Sequence, residues 1–269
     1  MKIISSKTNL LKFIHKEKNL GFVPTMGAIH SGHISLIKKS ISQCNKTIVS
    51  IFINKPQFNK KNDFIKYPRI LKKDIHLVKK TKVDFLYIPA FKQIYPSGVN
   101  NKIKMNSFAK KLCGKFRPGH FKAVIDVIDR FIKIIKPKRI YFGEKDMQQL
   151  KLIENFVSIN HPTTKVIKCK TIREKNGLAC SSRNSLLSLD QKNIASRIYK
   201  LLNDKKKYII NKKISLSLIK NKIFLLGVTK IEYIKILNVN RLVLPYKINK
   251  SYKIFISYYL GSVRLIDNI

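Results

Sequence analysis

Two histidines stand three residues apart, with a glycine between them, in Pro24-Thr25-Met26-Gly27-Ala28-Ile29-His30-Ser31-Gly32-His33. The apolar run Leu20-Gly21-Phe22-Val23 precedes them, and Ile34, Leu36, Ile37 and Ile41 follow at helical spacing. The pair therefore falls where a strand passes through a glycine turn into a helix. Free N–H groups and the helix dipole favour an anion at such a turn. Imidazoles added there point to nucleotide chemistry, with His30 and His33 on phosphate. A metal pair is the alternative, but no cysteine or carboxylate nearby completes a ligand set.

Four further clusters carry chemistry. Asn54 and Gln57, in Phe52-Ile53-Asn54-Lys55-Pro56-Gln57-Phe58, place uncharged hydrogen-bonding groups just after an apolar run. They suit a hydroxyl or carboxylate, although a proline with polar neighbours also makes an ordinary turn. Beyond them, Asp63–Arg69 is a candidate cover. Arg117-Pro118-Gly119-His120-Phe121 either binds an anion at a helix start or is simply the turn that starts the helix. Tyr141–Leu150 repeats the order strand, Gly143, Lys145, helix, without being a Walker loop. Lys145 can balance phosphate charge, and Glu144 or Asp146 can help hold Mg²⁺. Gln148 and Gln149 are adjacent, so at least one must face the surface or a site. Last, Ser181-Ser182-Arg183-Asn184 offers two hydroxyls and a guanidinium to phosphate oxygens.

Together these residues describe a nucleoside triphosphate site with no activated nucleophile of its own. Its chemistry is in-line transfer, in which the protein supplies position and positive charge.

The elements that must position them alternate. Strands are predicted over Gly21–Thr25, Thr47–Ile53, Phe85–Ile88, Arg139–Phe142 and Lys165–Lys168. Helices are predicted over His33–Cys44, Leu71–Thr81, Phe121–Ile135 and Met147–Asn155. Such alternation gives an α/β fold with a Rossmann-like parallel sheet, whose ligands lie beyond the carboxyl ends of the strands. After Ile172 the texture changes. A capping box at Ser188–Gln191 opens a helix, a helical stretch follows over Ile214–Leu225, and strand-like runs cover Ile231–Leu237 and Lys253–Tyr259. Two domains are expected: residues 1–172, Rossmann-like, and residues 173–269, a smaller α+β lid domain.

Composition narrows the partners. Lys and Arg number 56 against 14 Asp and Glu, a net charge of +42. Nucleic acid is the obvious partner for that charge. However, 47 of these residues are lysines and only 9 are arginines, and the lysine pairs are dispersed along the chain, whereas a nucleic-acid site usually concentrates charge on one face and uses arginine. Dispersed, solvated lysines with no specific nucleic-acid target are the expectation. Four cysteines without paired spacing fit a reducing compartment. The first residues lack a signal peptide's apolar stretch, and no run is long enough to span a membrane. A cytoplasmic protein is expected.

In combination and in order, PTMGxxHxGH, YPR, RPGHF, FGEKDxQQL and SSRN resemble the pantoate–β-alanine ligase (pantothenate synthetase) family of the HxGH nucleotidyltransferases. The resemblance runs from Leu20 to Asn184, and Leu260–Asn268 is similar to that family's last strand. It implies condensation of pantoate with β-alanine through a pantoyl-adenylate, releasing AMP and pyrophosphate, with ATP as substrate, Mg²⁺ required and a homodimer as the working form. By matching motif it implies a catalytic set of His33, His30, Lys145 and Arg183. It puts Met26, Gly27, Gly143, Glu144, Asp146, Ile172, Cys180, Ser181 and Ser182 with them on ATP, and Gln57, Gln149 and Asn54 on pantoate and β-alanine. The chain departs from the family at Pro56, one position later than usual, and at Cys113 and Cys180, where Glu and Met or Leu are common.

Overall fold

Leu20–Thr25 and Lys46–Ile51 carry apolar residues on both sides of the strand, the pattern of strands covered on both faces. In the computed structural model, which describes residues 1–100, 102–243 and 251–269, both are inner strands of a six-stranded sheet. Among the described residues the strands are β1 (Lys2–Ile4), β2 (Leu20–Thr25), β3 (Lys46–Ile51), β4 (Phe85–Tyr87), β5 (Arg139–Gly143), β6 (Lys165–Cys169), β7 (Lys230–Asn238), β8 (Tyr252–Leu260) and β9 (Val263–Asn268). The helices are α1 (Lys7–Ile14), α2 (Ser31–Gln43), α3 (Lys61–Ile65), α4 (Leu71–Lys79), α5 (Phe91–Ile94), α6 (Cys113–Phe116), α7 (His120–Ile135), α8 (Met147–Asn160), α9 (Leu189–Asp204), α10 (Lys206–Ile210) and α11 (Leu216–Leu225).

Contacts divide the chain into two units, Met1–Glu144 with Gln149–Lys170, and Lys145–Gln148 with Thr171–Ile269. The first holds the wholly parallel sheet, ordered β1-β4-β3-β2-β5-β6. Period-two alternation sends Val23, Val49, Leu86 and Tyr141 to one face, where Leu36 and Ile37 of α2 and Val78 of α4 meet them. On the opposite face Phe22 packs against Phe131 of α7, ring centroids 5.3 Å apart. A Cβ on Gly21 would collide with Ser40 Oγ, so glycine there lets α2 lie directly on β2.

Strand order places the site. The chain leaves β2 towards β3 and leaves β5 towards β6, in opposite directions, so the topological switch point lies between β2 and β5. These strands pair only at Gly21↔Arg139 and Phe22↔Ile140, although β2 runs on to Thr25 and β5 to Gly143. Proline explains the stop. Leu20 O accepts from Lys138 N on the β5 side, and Thr25 O accepts from Phe52 N on the β3 side. By alternation Pro24 faces β5 and has no N–H to donate.

The second unit holds the antiparallel sheet β7-β8-β9. Its core joins Ile198 and Leu202 of α9, Ile219 and Ile223 of α11, and Ile254 and Ile256 of β8. The capping box at Ser188 and Gln191 is present in both directions. Expected and observed bounds differ by two residues or fewer except in one helix. The helix from Met147 continues five residues past Asn155, carried by Val157, which is buried. The strand from Thr47 stops at Ile51, because the chain turns at Asn54. The strand β1 and the helix α1 were not foreseen.

Candidate active site

Thr25 ends β2 and begins the histidine turn: its Oγ1 donates to Ser50 O at 2.6 Å and accepts from Gly27 N at 3.2 Å. Gly27 and Ala28 are both left-handed, with φ of +77° and +50°, a costly conformation for alanine. Buried Asp74 of α4 holds them there, its carboxylate accepting from Ala28 N at 2.8 Å and from Ile29 N at 2.7 Å. The amides of Gly27, Ala28 and Ile29 are thus committed within the protein. This narrows the expectation that free N–H groups here would bind an anion, since these three are occupied.

The imidazoles are what the turn presents. His30 is the N-cap of α2, and its Nδ1 accepts from Gly32 N at 3.1 Å. That bond fixes the tautomer, because a ring nitrogen that accepts carries no proton, which leaves Nε2–H as a donor. His33 lies in the helix's first turn and stacks on His30, ring centroids 4.0 Å apart. Both are half-buried.

Gln57 sits in a one-turn 3₁₀ helix, Lys55–Gln57, that accommodates the displaced Pro56. Its Oε1 accepts from Asn54 Nδ2 at 3.0 Å, and its Nε2 donates to Met26 Sδ at 3.0 Å, which ties this corner to the histidine turn. Asn54 is committed: Nδ2 also donates to Ala123 O, and Oδ1 accepts from the Tyr95 hydroxyl at 2.8 Å. Burial pushes the Tyr95 hydroxyl well above the ordinary tyrosine range, so it keeps its proton and donates.

His120 and Arg117 act on the same corner. His120 Nδ1 lies 2.8 Å from Gln57 O, and Arg117 reaches the same carbonyl at 3.3 Å and His120 Nε2 at 3.1 Å. Neither sequence reading of Arg117–Phe121 included this contact: at the start of α7 both side chains hold the Gln57 carbonyl. The cover segment includes α3, and Arg69 binds the carbonyls of Phe64 and Ile65.

Gly143 ends β5, and Glu144–Asp146 form a 3₁₀ turn into α8. Gln148 is buried and Gln149 half-buried, so Gln149 is the one of the two with accessible surface.

Within the second unit, Lys145 Nζ lies 3.7 Å from Asp146 Oδ1, and the Lys145 carbonyl accepts from Asn268 Nδ2 at 2.8 Å. Arg173 pairs with Asp267 at 2.6 and 3.0 Å and stacks on Tyr199. Cys180 is buried, its N–H donating to Ile172 O at 2.9 Å. Ser181 caps the 3₁₀ helix Ser182–Leu186, which carries half-buried Ser182 and Arg183. Buried Asn184 donates to Glu174 and to Ala179 O.

The first unit therefore brings together Met26, Gly27, His30, His33, Asn54 and Gln57, and the second brings together Ile172, Cys180, Ser181, Ser182 and Arg183. Sequence reasoning missed Asp74, Tyr95, Asp267 and Asn268. The scarcity of acids, 14 against 56 basic residues, was the available signal for Asp74. All four cysteines are free and buried. Among the described residues no helix is long and apolar enough to cross a membrane, and no group of three or more His, Cys, Asp or Glu could hold a metal.

A family model described as pantoate-beta-alanine ligase matches residues 2–269. The pantothenate synthetase of Sulfurihydrogenibium sp. (strain YO3AOP1) is 39% identical over 269 residues, covering 98% of this chain and 96% of that protein. That of Azobacteroides pseudotrichonymphae is 41% identical, covering 99% and 97%. Among solved structures, pantoate-beta-alanine ligase from Francisella tularensis, complexed with beta-gamma ATP and beta-alanine, superposes with a TM-score of 0.86 at 39% identity, covering 100% of this chain and 97% of that one. Pantothenate synthetase from Thermus thermophilus gives 0.88 at 29% identity, covering 100% and 99%.

Proposed function

This chain belongs to the pantoate–β-alanine ligase family, and from that premise we propose that it joins pantoate to β-alanine through a pantoyl-adenylate. A carboxylate is a poor acyl electrophile, so its oxygen first attacks the ATP α-phosphorus and the bond to the bridging oxygen breaks, releasing pyrophosphate. The β-alanine amine then attacks the acyl carbon, loses a proton and expels AMP.

The observation that carries the assignment of roles is the contact of Gln57 Nε2 with Met26 Sδ. A thioether is a weak acceptor, so this N–H exchanges it for a substrate oxygen at little cost. The acid-selecting amide thus lies against the turn that carries His30 and His33. Gln57 and Gln149 bind pantoate, with Gln57 also beside β-alanine, and Asn54 orients Gln57. His30, through Nε2–H, and His33 donate to phosphate oxygens, where donors matched to developing charge lower the barrier most. Met26, Gly27, Gly143, Glu144 and Asp146 line ATP, as do Ile172, Cys180, Ser181 and Ser182, while Lys145 and Arg183 supply charge.

Mg²⁺ needs only one or two carboxylates beside substrate phosphates, and Asp146, with its side chain 46% exposed, fits that demand. The ion would arrive with ATP and offset phosphate charge. Residues 1–172 serve nucleotide and pantoate, and residues 173–269 form the smaller domain that brings Cys180–Arg183. A homodimer in the cytoplasm completes the proposal, and sedimentation tests the dimer.

Exchange of labelled pyrophosphate into ATP tests the reaction. Exchange that requires pantoate and not β-alanine is expected. Exchange without pantoate, or none with it, would overturn the reading.

A further inference from the structure

Asp74 lies in the first turn of α4, where an acid ordinarily complements the helix dipole. Its geometry asks for more. It is 2% exposed, and its two oxygens are shared between consecutive amides of another segment, Ala28 N on Oδ2 and Ile29 N on Oδ1. Successive N–H groups aligned by left-handed residues form a nest that attracts an anion. Here Gly27 and Ala28 are left-handed, and the anion in the nest is the protein's own carboxylate. A Cβ on Gly27 would lie 2.9 Å from Asp74 Oδ2, so the carboxylate packs directly against that glycine. Val78, one turn further along α4, is fully buried in the core that also holds Val23 of β2, so the clamp has a rigid base.

We propose that Asp74 is a positioning residue for the His30–His33 pair: an internal anion that fills the amide nest, fixes the turn and leaves nucleotide phosphate to the imidazoles. The proposal rests on the ligase reading for its catalytic consequence, but not for its structural one. Ile29 directly precedes His30, whose ring orientation follows from the N-cap bond to Gly32. A turn freed at residues 28 and 29 therefore re-aims His30, and His33 stacked on it.

Asp74→Asn tests this with little change of volume. An amide offers one acceptor oxygen and sets its NH₂ against the other backbone N–H. In the full-length chain, kcat for pantoate-dependent pyrophosphate exchange should fall on the order of 100-fold, the loss expected for misplacement by about 1 Å. KM for pantoate should stay within about twofold, because Gln57 is held by other residues. The ¹⁵N resonances of His30, which report its tautomer, should shift in protein without substrate. If circular dichroism shows Asp74→Asn unfolded, Asp74→Glu takes its place, since its longer stem displaces the carboxylate and should move the same readouts. An unaltered His30 signature overturns the proposal whatever kcat does. So does a kcat within about twofold of the parent, or a rise in pantoate KM that matches the fall in kcat. Because the resonance needs no substrate, a parent protein lacking pantoate-dependent exchange would sink the ligase reading and leave the clamp to be judged separately.

Discussion

β2 and β5 both end at a glycine-bearing turn and pass into a helix, yet the two turns are finished by different means. After β2, residues 27–29 are locked by the buried carboxylate of Asp74, and the turn presents two stacked, half-buried imidazoles. After β5, the turn presents Lys145 and Asp146, with an ion-pair distance of 3.7 Å, and its Lys145 carbonyl is held by the asparagine next to the chain's last residue. One turn presents imidazoles on a rigid base, the other presents charged side chains. The lesson is that a glycine turn at a strand's carboxyl end predicts an anion site without predicting which groups contact the anion. That depends on whether the turn's own amides are already occupied.

Substitutions on either turn can break or sharpen this contrast. His33→Ala should have the largest effect, on the order of 10²–10³-fold in kcat for pyrophosphate exchange, with an unchanged circular dichroism spectrum. Near-parental turnover would remove the imidazole pair from the chemistry. Lys145→Ala should cost about 100-fold, mainly in the ATP-dependent parameters, and the deficit should shrink as salt attenuates electrostatics in the parent. Gly27→Ala forces a Cβ into a left-handed residue beside Asp74, so thermal melting should show a loss of roughly 1–2 kcal/mol. A neutral result would mean the first turn is not rigid. Asn268→Ala removes one hydrogen bond to the Lys145 carbonyl, about 1 kcal/mol, and exchange should slow only severalfold. A loss as large as that of Lys145→Ala would make the second turn as tightly clamped as the first.

The contrast also marks where sequence reading ends. Both turns were legible because glycine, periodicity and strand order are local or short-range signals: β2, β5, α2 and α7 appear within two residues of their expected bounds. The turn that carries Asn54 and Gln57 was legible for the same reason. Asp74 and Asn268 were not, because they reach their partners across 46 and 123 residues, and nothing local to either distinguishes it from a solvated side chain. The contact of His120 with Gln57 was not legible for a related reason. An imidazole at a helix start serves a phosphate or a neighbouring carbonyl equally well, and only the fold brings Gln57 O to it. The strand β1 escaped notice because three residues carry too little alternation to register; pairing with β4 makes it a strand.

The central claim is that pantoate's carboxylate attacks phosphorus before β-alanine enters, and the fate of oxygen tests it most directly. Pantoate labelled with ¹⁸O in its carboxylate should be turned over with ATP and β-alanine, and the AMP analysed by mass spectrometry. The adenylate route predicts one ¹⁸O in each AMP, because the oxygen that attacked the α-phosphorus leaves with it. AMP free of label, with pantothenate still forming, would contradict the account.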